Sequence, residues 1–93
     1  MRAQVFIDQT EGGGVEISVI KDGLSFGAAR KYHKMEEAKL VLLVFGFDKT
    51  LVDRQFGILS QTPPSVLLTF PVTEIADDVL KSFGFWAAAF KAA

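Results

Sequence analysis

Polar and apolar residues alternate through the first third of the chain. Ala3, Val5 and Ile7 take turns with Gln4, Phe6 and Asp8, and Val15, Ile17 and Val19 take turns with Glu16 and Ser18. Successive side chains of a strand point to opposite faces, so this period of two predicts half-buried strands. Glu11-Gly12-Gly13-Gly14 between them suits a loop joining antiparallel neighbours. Lys21-Asp22-Gly23 supplies the Asp-Gly pair of a type I′ hairpin, whose two central residues need positive φ. A third strand from Leu24 to Tyr32 completes a meander.

The period changes at Met35. Glu36 and Glu37 suit the positive end of a helix dipole, and Gly46 suits a left-handed position just past a helix end, with Phe47 folding back onto the last turn. A helix is therefore expected over Met35 to Phe45, against the alternative of a buried strand at Leu40 to Phe47, which a short apolar run leaves open. Phe-Gly-Phe recurs at Phe83 to Phe85. There it ends a clean amphipathic stripe of Ile75, Ala76, Val79, Leu80 and Phe83, opposite Glu74, Asp77, Asp78 and Lys81, with Thr73 as the expected N-cap. The shared ending favours the helical reading of the first copy; the unlike flanks argue against an internal duplication.

Between the two, Leu51, Val52, Phe56, Ile58 and Leu59 predict a helix over Asp48 to Ser60, weakened by Gly57. Thr62-Pro63-Pro64 ends it, and Ser65 to Val72 reads as a strand closed by Pro71. Leu67 on that strand's outer side suggests that both faces are covered. The tail from Phe85 to Phe90 fits a helix or a short strand equally. The expectation is one α+β domain over residues 1–93. Its antiparallel sheet joins the three-stranded N-terminal meander to one later strand, helices pack on one face, and the order is β-β-β-α-α-β-α.

Composition adds a tension to this picture. Hydrophobic residues make up 49% of the 93 residues and nine are Phe, more apolar surface than so short a chain readily conceals. The surplus concentrates in Leu40 to Phe47, LVLLVFGF, which has no polar side chain. With Ala38, Val41, Leu42 and Phe45 toward the sheet, Leu40, Leu43 and Val44 turn partly away, and together with Phe47 they are the candidate interface. The leading expectation is a small non-enzymatic interaction or regulatory module that self-associates as a homodimer or meets a protein partner. Cover from the helix at Asp48 to Ser60, or from the tail, is the intramolecular alternative.

Charge brings in a second candidate surface. Arg30, Lys31, His33 and Lys34, with Tyr32 interleaved, form the one basic cluster, a pattern that can grip phosphates while an aromatic ring stacks on a base. Alternation puts Arg30 and Tyr32 on one face and Lys31 and His33 on the other, Glu36 and Glu37 follow at once, and the formal net charge is −1. Nucleic-acid binding is therefore the alternative and not the leading reading.

No residue pattern calls for catalysis, a metal or a cofactor. The chain has no cysteine, which removes thiolate ligands and a thiol nucleophile. His33, the single histidine, has no nucleophile at a matching spacing and reads as a solvated or capping residue. Glu74, Asp77 and Asp78 read as the acidic first turns of a helix, with Asp77 and Lys81 able to pair at i,i+4. Gly12-Gly13-Gly14 leads into a strand without the following Lys-Ser/Thr of a phosphate loop. Asp48, Asp53 and Arg54 form no constellation, and Lys49 with Asp53 reads as surface support. The N-terminus lacks the apolar core of a signal peptide, and no run approaches the roughly 20 residues of a membrane span. A cytoplasmic protein is expected.

Overall fold

The computed structural model describes residues 2–21, 27–61, 63 and 66–84. Strand β1, Arg2–Gln9, is the centre of an antiparallel sheet. It pairs with β2, Val15–Lys21, in a register that sets Val5 against Val19 and Ile7 against Ile17. β2 in turn pairs with β3, Gly27–Tyr32, which sets Val19, Ile17 and Val15 against Ala28, Arg30 and Tyr32. The period of two sorts these strands as the sequence predicts. Ala3, Val5, Ile7, Val15, Ile17 and Val19 are fully buried, while Gln4, Phe6, Asp8, Glu16 and Ser18 on the opposite face are half-buried. The third strand is described from Gly27, and the turn expected at Asp22-Gly23, the strand start expected at Leu24 and the tail from Phe85 to Phe90 lie outside the described residues.

Helices α1, Met35–Val44, and α2, Lys49–Ser60, follow. Both cover the apolar face of the sheet, through Ala38 and Leu42 of α1 and Val52, Phe56 and Leu59 of α2. The helical reading of Met35 to Phe45 holds, and the chain past α1 shows why. Gly46 sits at φ 104°, its N–H donates to the carbonyl of Leu43 at 3.0 Å, and the N–H of Phe47 donates to that of Leu42 at 3.2 Å. These two bonds satisfy carbonyls that the helix end would leave orphaned, a Schellman arrangement. Asp48 then caps α2, its carboxylate accepting from the Thr50 N–H at 3.0 Å.

The segment after α2 departs from expectation. One strand is expected from Ser65, which lies outside the described residues, to Val72; from residue 66 onward there are two short ones, β4, Leu68–Thr69, and β5, Thr73–Glu74, both antiparallel to β1. Pro71 between them has no N–H to give the ladder, and the last donor before it is Phe70, whose N–H bonds the Val5 carbonyl at 2.8 Å. Thr73 is thus a strand residue opposite Ala3 and not an N-cap. Helix α3, Asp77–Phe83, starts at Asp77 with Ala76 as its cap residue, and Ile75 enters the core from extended backbone before it. Leu67, expected to be covered, is 51% exposed, since the described helices lie on the other face. No helix of the described residues is long and apolar enough to cross a membrane.

Candidate functional site: a cleft between α1, α3 and the sheet margin

The register of β3 decides where the basic cluster goes. Arg30 and Tyr32 stand opposite Ile17 and Val15, on the helix side of the sheet, whereas Lys31 stands opposite Glu16 on the other face. His33 and Lys34 follow in the turn before α1 and are exposed. One strand therefore distributes the cluster over two surfaces, and only Arg30 and Tyr32 meet the helices.

They open onto a cleft of about 290 Å³. Helix α1 supplies Leu40, Val41 and Val44, with Phe45 just past its end, and α3 supplies Asp78, Val79, Ser82 and Phe83. The phenylalanines that precede the two glycines meet here: the rings of Phe45 and Phe83 lie edge to face with centroids 5.3 Å apart, a favoured aromatic geometry. This contact ties the ends of α1 and α3 together under the cleft. Arg30 crosses toward α3 and donates from Nη1 to the Ser82 carbonyl at 3.3 Å, one of the carbonyls left open at a helix C-terminus. Burial raises the Tyr32 phenol above its ordinary value; the Arg30 charge opposes this and Glu37 adds to it. Tyr32 is therefore a neutral donor at physiological pH.

The four residues expected to form an interface divide. Phe47 is only 8% exposed and lies against Phe70, ring centroids 4.7 Å apart; the same C-terminal turn that made it recognisable turns it into the core. Leu43 is half-buried against the core. Leu40 and Val44, one turn apart on α1, are 62% and 66% exposed. They form the outer lip of the cleft, so the candidate surface narrows to these two with the groove behind them.

Asp78 is the residue that sequence reasoning undervalued. Glu74, Asp77 and Asp78 read as one acidic helix start, but Glu74 belongs to β5 opposite Arg2, and of the remaining pair only Asp78 lines the cleft. An adjacent pair splays by about 100° around a helix, which was the available signal, though nothing in the sequence placed Asp78 in the same cleft as Arg30. His33 lines neither this cleft nor a second hollow of about 280 Å³ beside Ser18, Ile20 and Gly27, which presents no charged side chain. Among the described residues no three metal-capable side chains gather. No family model, curated protein or solved structure matches the chain, so its function is argued from the cleft and the lip beside it.

Proposed function

We propose that the chain is a small non-enzymatic interaction module that self-associates through the lip of this cleft, two copies meeting about a two-fold axis. The observation that carries the reading is the exposure of Leu40 and Val44 beside a groove whose lining holds one cation, Arg30, and one anion, Asp78. A two-fold contact brings the same patch of each copy together. A patch that carries both signs is therefore complementary to itself, each Arg30 facing the Asp78 of the other copy. Burial and association cost are of the same order, so a dimer built on this lip is weak and reversible. Full cover brings about 1.5–3 kcal/mol for each Leu or Val side chain, while association costs about 4–15 kcal/mol in lost freedom.

Charge reversal tests this. Arg30→Asp or Asp78→Arg alone places like charges across the axis and weakens the dimer, and the double variant restores it, read by sedimentation velocity at micromolar concentration. Single reversals that leave the sedimentation coefficient of a dimer unchanged would contradict the proposed contact.

A further inference from the structure

We propose that the same cleft binds a small zwitterion with an apolar side chain, of the class of the aliphatic α-amino acids. This deepens the self-association reading and rests on it in one respect: ligand and second copy would use the same two charges. The cleft walls are Val41 and Val79 with the Phe45–Phe83 pair, below the lip at Leu40 and Val44, so the enclosed part of an occupant is apolar. At about 290 Å³ the space lies at the lower end of ligand sites, which run from about 300 to 1,000 Å³, and admits only a small molecule.

The polar groups then select the head. Arg30 commits one N–H to Ser82, and a guanidinium carries five in a planar fork, leaving a bidentate grip for a carboxylate. Tyr32, neutral and half-buried, adds a hydroxyl donor on the same strand face. Asp78 presents a carboxylate that no hydrogen bond or ion pair engages among the described residues. A plain aliphatic carboxylate gains Arg30 but meets repulsion from Asp78, and an alkylamine does the reverse. A molecule bearing both charges next to each other, with an aliphatic chain, satisfies all three features and brings no net charge to the groove. Because a filled cleft has Arg30 and Asp78 occupied, the ligand also loosens the contact between copies.

Calorimetric titration of the full chain with L-leucine, 4-methylpentanoate and 3-methylbutylamine tests the proposal. Leucine is expected to bind saturably and at least about tenfold more tightly than either analogue, a difference of about 1.4 kcal/mol. Asp78→Asn should erase the preference over the carboxylate and Arg30→Gln the preference over the amine, with unchanged thermal melts showing that both variants fold. No saturable heat from leucine at millimolar concentration, or leucine bound equally well by Arg30→Gln, would overturn it. Sedimentation of the same samples without ligand judges self-association separately. Leucine binding to a chain that stays monomeric keeps the site and removes the dimer, and a dimer that takes no leucine does the opposite.

Discussion

Helices α1 and α2 lie side by side on one sheet, yet they meet the outside in opposite ways. Helix α2 buries Val52, Phe56 and Leu59 and turns Asp53, Arg54 and Gly57 outward, the division expected of a helix with core on one side and water on the other. Helix α1 buries Ala38 and Leu42 and then offers Leu40 and Val44 outward, more exposed than any other large hydrophobic side chains described. From Leu40 to its end at Val44 it carries no polar side chain. Packing against the sheet explains every apolar residue of α2 except the partly exposed Ile58, but it leaves two of α1 unexplained. The contrast locates the apolar surplus of the composition on one side of one helix.

The largest expected effect separates the two sides of α1. Leu42→Ala removes a fully buried side chain and should destabilise the fold by about 2–5 kcal/mol in urea denaturation. Leu40→Ala should cost far less at concentrations where the chain is monomeric. Comparable costs would mean that Leu40 is already covered in the monomer, and the contrast with α2 would break. Gly46→Ala comes next. At φ 104° an L side chain is strained, and the expected loss is about 1–2 kcal/mol in the same assay.

Gly57→Ala sharpens the α2 side. The position is mid-helix, and nothing lies within 4 Å of an added Cβ, so the variant should gain about 0.8–1 kcal/mol, seen as a higher melting temperature. The smallest effect comes from Asp53, which bonds Lys49 at 2.9 Å and approaches Lys39 of α1 at 3.7 Å. The hydrogen bond from Lys49 holds the Asp53 carboxyl below its ordinary value of 3.8. A depressed carboxyl contributes stability above its unfolded pKa and loses it as pH falls through the folded one. Asp53→Asn should therefore flatten the acid limb of stability below that value slightly and leave the neutral range almost unchanged, because the group is exposed and screened.

Much of the fold was legible because its elements carry strong local signals. Alternation in β1 and β2 and the Gly46 turn each act within a few residues, whereas Asp48 read as the first residue of α2 and the structure makes it the cap. The strand after α2 was not legible in the same way. Whether Leu68 and Thr73 pair depends on where β1 offers free edges, and Pro71 splits the segment in a manner that hydropathy does not register. The candidate site was half legible. Leu40 and Val44 stood out as an apolar excess and Arg30 with Tyr32 as a same-face pair, but their meeting depends on α3 crossing near the end of β3. Asp78 shows the limit most clearly. Its acidity read as ordinary helix-start chemistry, and only the tertiary arrangement sets it in a cleft with a guanidinium.

The central claim is that the outer side of α1 is an interface. Sedimentation equilibrium of the unaltered chain and of Leu40→Glu/Val44→Glu, over a concentration series at neutral pH, tests it most directly. The account predicts that the unaltered chain approaches twice the 10.2 kDa of one copy as concentration rises, while the variant stays at one copy with an unchanged circular dichroism spectrum. A single-copy mass for both proteins across the series would contradict it.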